Sequence, residues 1–309
     1  MVDNSMPPNM GPGGMGVPVG EPTKPMGNPL KQHLRQPKIY ISLPSKGQWW
    51  PEGSLDYPEN GEIPVYAMTA RDEITFKTPD ALLNGQATVN VIQSCVPNVK
   101  DAWQVPSIDL DVILVAIRMA SYGDSIDMTA NIPNTKLTRD YTFNIQQLYD
   151  TLQNAVFESE FKITGFTVEV KPVNYQTTTQ QSIKAFEEQR VFQIIENEDI
   201  DPKVKLDRFQ KSFANLTDIN QNILINSVTS ITPDGGEKVT QPAFLKEFLE
   251  NCDASVFNQI SDHIKEQKTK YSIKPLTVKA TEEEKEAGAP DTFELPITFD
   301  QSNFFGSGS

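Results

Sequence analysis

The segment Ile108 to Tyr122, IDLDVILVAIRMASY, constrains what this chain can fold into more than any other stretch. Leu110, Ile113, Leu114, Ile117 and Tyr122 mark one stripe at helical spacing, and Val112, Val115, Ala116, Met119 and Ala120 fill most of the remaining surface. A helix apolar nearly all round has no face to offer water and is buried on every side. Pro106 stands just outside it, Ser107 is placed as the N-cap, and Asp109 and Asp111 fall in the first turn, where the helix dipole favours negative charge. Gly123 follows the last apolar residue and suits a left-handed C-cap. The run is far shorter than the roughly 20 apolar residues of a membrane span, and two acids and Arg118 interrupt it. The rest of the chain is expected to pack around this helix.

The preceding stretch is dense in helix punctuation. Thr69 with Asp72 and Glu73 reads as a capping-box start. Thr78-Pro79-Asp80 opens a second short helix, with Pro79 at the first helical position. Asn84-Gly85 breaks it, and Ala87 to Cys95 reads as a third helical piece, stopped by Pro97. Short helices around one buried helix make a recognition platform, with no obvious catalytic cleft.

At 309 residues the chain is long enough for about two domains. Hydrophobic residues make up 38%, enough for a real core but leaving room for unstructured parts. The formal net charge of −14 argues against nonspecific binding to DNA or an anionic membrane. It serves solubility first and, second, a basic or charge-patterned protein partner. Cys95 and Cys252 are far apart in helical contexts and read as free buried thiols of a reducing compartment. No secretory signal is visible, so synthesis and folding in a cytoplasm are expected.

Met1 to Leu30 holds seven of the 23 prolines, six of the 17 glycines and five of the eight methionines, and such a segment forms no regular pairing. A disordered or extended arm is expected, either floppy or ordered along a neighbouring subunit. Pro37 to Leu43 alternates and reads as a strand. In the loop that follows, Trp49 and Trp50 are adjacent. Neighbouring side chains on an extended chain point opposite ways, which lets one Trp enter the core while the other faces a partner; core packing of both is the alternative.

Beyond the core helix, Ser125 to Ile132 and Lys136 to Asn144 read as a hairpin around Pro133-Asn134. Asn144 then caps a helix running through Phe157, and Phe161 to Pro172 alternates as one strand. From Thr177 to about Ile231 the period changes. Leu206, Phe209, Phe213, Leu216, Ile219 and Ile223 recur at spacings of three and four, opposite Ile183, Phe186, Arg190/Val191 and Ile194 across an acidic turn at Asn197 to Pro202. Two antiparallel helices with a coiled-coil-like seam, paired within the molecule, are expected. Gln241 to Asn251 and Ala254 to Lys268 give two more helices. Tyr271 to Ala280 and Thr292 to Phe299 give two strands, separated by a mobile polar loop from Thr281 to Pro290. Phe304 and Phe305 close the chain on a Gly-Ser end, which suits a docking tail.

The expected fold class is therefore α+β. A flexible arm (1–36) precedes a compact helical core with β-hairpins (37–174), then a long antiparallel helical hairpin (175–232) and a small C-terminal α/β portion with the docking tail (233–309).

Chemistry is sparse. Gly123-Asp124-Ser125 matches the start of a GDS-type hydrolase word, but Gly123 ends a helix and Asp262-His263 lacks the spaced partner such enzymes use. Only His33 and His263 exist, leaving little for acid–base work or zinc ligation. No Walker A, GxGxxG or HExxH is present. Glu282-Glu283-Glu284 and Glu196 to Asp201 read as solvated charge. No catalytic residue, cofactor or metal is expected; the candidate partner-binding residues are Trp49, Trp50, Phe304 and Phe305.

An ordered series of words adds a resemblance. Leu43-Pro44-Ser45-Lys46-Gly47, Met68-Thr69-Ala70-Arg71-Asp72-Glu73, Thr78-Pro79-Asp80-Ala81-Leu82-Leu83-Asn84-Gly85, Ser94-Cys95-Val96-Pro97-Asn98 and Pro106-Ser107-Ile108-Asp109-Leu110-Asp111 resemble the baseplate hub protein family of T-even-like contractile-tailed bacteriophages. The terminal Phe299-Asp300 and Phe304-Phe305-Gly306 fit the same family, and the match is dense from Ile39 to Gly123. Some relatives carry CxxC knuckles in hairpins where this chain has Ile132-Pro133-Asn134-Thr135, so a zinc-stabilised hairpin is not carried over. The resemblance implies a structural subunit at the central hub of the tail baseplate, made in the host cytoplasm and carried in the virion. It works by contacts with other baseplate and tail proteins, with the tape-measure protein and further copies of itself as candidates, and without nucleic acid or membrane insertion. The alternative is a hub or tape-measure assembly factor or chaperone that leaves before maturation; an enzyme is the third class.

Overall fold

The computed structural model describes Met1, Leu30, and residues 34–76, 85–197 and 201–295, without the side chains of 191–197, 202 and 220. Met1–Arg35 and Gln36–Ser309 are two separate units. Most of the N-terminal arm, the Thr78-Pro79-Asp80 helix and the end carrying Phe299, Phe304 and Phe305 lie outside the described residues. The second unit is mixed helix and strand, as the sequence pattern indicates.

Its centre is the helix Ser107–Tyr122, in which Val112, Ile113, Val115, Ala116 and Ile117 are wholly buried. The ends differ in detail from the sequence expectation. Pro106 is the N-cap and Ser107 is already helical, its N–H donating to Val173 O at 2.8 Å. Gly123 has φ +85° and ψ −173°, open to glycine but not left-handed helical, and this turns the chain straight into a strand. Arg118, which breaks the apolar run in sequence, is 4% exposed near the helix C-terminus, where the dipole suits a cation. Its guanidinium donates to Ser125 O at 3.1 Å and lies 4.7 Å from the centre of the Tyr122 ring.

Around this helix pack the strands β1 (Pro37–Ile41) and β2 (Ile63–Tyr66), paired antiparallel, and the helices α1 (Ala70–Phe76) and α2 (Gln86–Cys95). With the core helix as α3, α4 (Gln146–Gln153) completes the shell. Thr69 and Asp72 close a reciprocal cap at the start of α1: each backbone N–H is bonded to the other's side chain. β2 was not expected, because it is only four residues long and contains Pro64; a two-stranded ribbon tolerates a proline on its open edge.

After α3, β3 (Ser125–Asn131) and β4 (Thr138–Asn144) form the expected hairpin in full register. α4 is shorter than expected. It stops at Gln153, and Val156 is 73% exposed. The single alternating strand expected over Phe161 to Pro172 is a hairpin, β5 (Glu160–Ile163) and β6 (Phe166–Val170), turned at Gly165 with φ +83°. A two-residue turn preserves alternation, so the pattern alone hides the reversal. The helical hairpin follows as α5 (Tyr175–Asn197) and α6 (Pro202–Ser227), the latter about 39 Å long at 1.5 Å per residue. Asp201 accepts the Lys203 N–H at 2.8 Å and Pro202 takes the first helical position, a well-formed start. The helix ends earlier than the expected Ile231, because the run Val228-Thr229-Ser230-Ile231-Thr232, rich in the β-branched Val, Thr and Ile, becomes β7 (Val228–Pro233). β7 pairs with β6, so a sheet begun before the helical hairpin is completed after it. Helices α7 (Pro242–Asn251) and α8 (Ala254–Tyr271) cover that sheet with Leu245, Leu249 and Ile260.

The C-terminal strands β8 (Leu276–Lys279) and β9 (Thr292–Leu295) pair as a further antiparallel ribbon, the last hairpin of the chain. Its connection, expected to be a mobile acidic loop, contains a short helix, α9 (Glu282–Glu286), with a complete capping box between Thr281 and Glu284. Glu284 is 6% exposed and accepts Arg139 Nη1 on both oxygens, at 3.0 and 2.9 Å. This corrects the reading of Glu284 as solvated charge: the ion pair ties the last hairpin to β4, beside a small core of Ile132, Tyr141, Phe293 and Leu295.

Candidate protein-docking surface

The loop Pro44–Pro51 is fastened to the start of α3 by one carboxylate. Asp109, 0% exposed, accepts the Ser45 N–H at 2.9 Å, the Ser45 hydroxyl at 2.5 Å and the Trp50 indole N–H at 2.8 Å. Burial outweighs these three donors and lifts its pKa from 3.8 to about 6. The first-turn acid expected to complement the helix dipole is thus also an internal acceptor for the loop. Lys46 (φ +52°), Gly47 (φ +79°) and Trp49 (φ +63°) adopt left-handed backbone, so the loop is not extended and the alternation argument for the two tryptophans does not apply. Both are half-buried. Trp50 packs on the main core, and Trp49 meets the Phe157 ring edge-on at 5.1 Å.

Phe157 also lines a cavity of about 340 Å³ between α3, α5, α6 and α8. Leu110, Ala185, Ile219, Ile223 and Tyr271 contribute most of its apolar wall, and Asp111 lies at the α3 side. Asp111 accepts a backbone N–H from Ile273; burial again wins, raising its pKa to about 6.

From that cavity the apolar stripe of α6 runs outward. Ile219 and Ile223 line the cavity, Leu216 is half-buried, and Phe213, Phe209 and Leu206 are 61%, 49% and 58% exposed. The residues expected to close the seam against α5 therefore remain largely in solvent over two helical turns. Where α5 and α6 do meet among the described side chains, the contact includes polar groups: Ser212 is 4% exposed, and Asn215 donates to Glu188 Oε1 at 2.7 Å. Phe186 on α5 is 52% exposed. Large apolar side chains exposed in one row mark a candidate contact surface.

A family model described as T4 bacteriophage base plate protein matches residues 37–293. The chain belongs to that family. No curated protein and no solved structure matches it. It is thus a structural protein of the phage tail baseplate, located in the virion tail and in contact with other baseplate or tail proteins. The match spans the Pro44–Pro51 loop, α3, the helical hairpin and the β3–β4 and β5–β6 hairpins, and ends within β9.

Of the four residues the baseplate protein's sequence offered as partner-binding, Trp49 and Trp50 are brought together with Asp109 and Phe157, while Phe304 and Phe305 lie outside the described residues. Sequence reasoning missed the role of Asp109; the signal was the pairing of Ser45 and Trp50 in one short loop with an acid at the start of an otherwise apolar helix. It also placed Leu206 and Phe213 inside a seam, whereas both are more than half exposed. His263, considered for catalysis, stacks on Phe161 with ring centres 3.6 Å apart, and its Nε2 lies 3.0 Å from Glu158 O, an ordinary packing arrangement. Cys95 is buried and Cys252 only half-buried. Among the described residues no His, Cys, Asp and Glu cluster is placed to hold a metal ion, and no helix is long and apolar enough to cross a membrane.

Proposed function

We propose that this baseplate protein is a structural subunit of the central hub, where it joins neighbouring tail proteins by surface contact and performs no chemistry. The observation that carries the reading is the exposed stripe Leu206, Phe209 and Phe213 on a helix about 39 Å long, in a protein whose family is a tail structure. Half-exposed Trp49 and Trp50, and the Phe304-Phe305 pair, are proposed as further contact points, with the tape-measure protein among the neighbours. Mass spectrometry of purified virions, with labelled chain located in tail reconstructions, tests this. Stoichiometric chain on the tail axis at the baseplate is the expected result. Complete tails that lack the chain would instead make it an assembly factor, and a peripheral position would remove it from the hub.

A further inference from the structure

Resting on that reading, we propose that the Leu206–Phe213 stripe of α6 is covered in the tail by an acidic amphipathic helix of another tail protein. Leu206 and Phe213 stand seven residues apart on one face, about 10.5 Å along the axis, the spacing that an i, i+3, i+7 row of helical anchors matches. Both are more than half exposed, so burying them is left to an association.

The charge around the stripe selects the partner. The chain as a whole carries −14, yet residues 202–211 hold Lys203, Lys205, Arg208 and Lys211 against Asp207 alone. Lys203, Arg208 and Lys211 are exposed and Lys205 half-buried. None of the ion pairs among the described residues uses any of the four. A second copy of α6 laid on the same stripe would bring two such unpaired basic clusters together, and like charges at an interface select against that partner. At 3.6 residues per turn Lys203 and Lys205 lie beside the Leu206–Phe213 row, while Arg208 and Lys211 lie toward the opposite face and add only longer-range attraction. A helix with an apolar face and acidic flanks satisfies the stripe and the two flanking lysines. Its acidic flanks would also speed encounter with this basic stretch of an acidic molecule.

The test is carried out in infected cells, with the full-length chain supplied to a phage deleted for it. A photo-reactive phenylalanine at position 213, with another at Phe244 as an exposed control on a different helix, is cross-linked in assembled tails and the joined peptides are sequenced. The expected result at 213 is one segment of a different tail protein, helical in pattern and net negative. A variant with Lys203→Glu, Lys205→Glu, Arg208→Glu and Lys211→Glu should enter tails at least tenfold less than the parent while melting like it. Cross-links to a second copy of this chain, to a neutral or basic segment, or none at all in tails that contain the chain would overturn the proposal alone. So would undiminished incorporation of the charge-reversed variant. Absence of the parent chain from tails overturns the hub reading, and this proposal with it.

Discussion

Helices α3 and α6 invert the usual rule of placement, in opposite directions. On α3 two of the three charged side chains, Asp109 and Arg118, are 0% and 4% exposed. On α6 a leucine and two phenylalanines stand about half in water. The first inversion is compatible with folding because each buried charge finds donors or acceptors within its own unit: Ser45 and Trp50 for Asp109, the Gly123 and Ser125 carbonyls for Arg118. Leu206 and Phe213 have no such compensation among the described side chains, and the cost of their exposure is removed only when something covers them. One helix spends polar groups on specifying its own fold; the other holds apolar surface in reserve for assembly. If that contrast is right, substitutions in α3 act on folding and substitutions in outer α6 act on tails.

The largest effect belongs to the middle of α3. Ile113→Asp places an unpaired carboxylate where nothing is exposed, at a cost of several kcal/mol against a whole-domain stability of about 5–15 kcal/mol. No soluble, cooperatively melting protein is expected. A variant that melts near the parent's temperature would show that α3 is not the centre of the fold.

Next comes the carboxylate that is tolerated there. Asp109→Ala leaves the Ser45 N–H, the Ser45 hydroxyl and the Trp50 indole N–H without their acceptor, and each orphaned donor costs about 1–3 kcal/mol, offset in part because burying the carboxylate is itself unfavourable. A net loss of about 2–4 kcal/mol is expected, read from the urea midpoint, with Asp109→Asn milder because it keeps one acceptor oxygen. Equal stability of parent and Asp109→Ala would reduce the network to a bystander.

Glu284→Ala should cost less, about 2 kcal/mol, since Arg139 keeps some access to water and retains the Lys279 carbonyl at 3.3 Å. The loss should be local. Amide hydrogen exchange is expected to speed up across residues 276–295 and the facing β4, with α3 unchanged. Uniform acceleration would mean that the two hairpins and the core unfold as one.

How much of this was open to a reader of the sequence depended on the range of the contacts involved. The buried helix, the β3–β4 hairpin and the two long helices follow from local periodicity and were legible. Asp109 and Glu284 were not, because their partners lie 64 and 145 residues away in sequence and a carboxylate carries no mark of which residue will meet it. The capping box at Thr281 was readable in T-E-E-E and was passed over because the charge run looked like solvent-facing loop. The β5–β6 reversal was hidden by a turn that keeps the two-residue period, and the β7 strand by its continuity with an apolar helix. The exposed stripe was misplaced for a different reason. Spacing identifies a face but not what covers it, and the same a/d-like row serves a partner helix inside the molecule or outside it.

A smaller effect comes from proton binding. Asp109 and Asp111 each titrate at about 6 in the folded chain against an ordinary value of 3.8. The folded state therefore holds these protons more tightly than the unfolded state, and stability rises as pH falls from 7 through 6 toward 4. Glu158 and Glu169, whose pKa values are held below normal by Lys270 and Lys238, oppose this only at lower pH, where they begin to take up protons. The melting temperature should climb by several degrees between pH 7 and pH 5, at about 1 kcal/mol for each of the two acids, and Asp111→Asn should remove about half of the rise. A melting temperature that falls over that interval would remove the buried acids from the account of α3.

The smallest effect is the one on which the contrast rests. Leu206→Gln with Phe213→Gln replaces two large apolar side chains by a residue whose helix propensity equals or exceeds theirs to within a few tenths of a kcal/mol. Both sites are more than half exposed, and surface changes of this kind usually fall within about 0.5 kcal/mol. The double variant should therefore melt with the parent. Leu216→Gln, on the same row but half-buried, should cost about 1 kcal/mol or more, because part of its burial is already made in the monomer. The step between positions 213 and 216 thus marks where intramolecular packing ends. The two measurements, melting temperature and yield of sheathed tails from a complemented deletion phage, then separate cleanly: the Leu206/Phe213 variant should lose tails at unchanged stability. Loss of stability equal to that of Leu216→Gln would put the stripe back inside the molecule's own fold, and full tail yield would leave it without a partner.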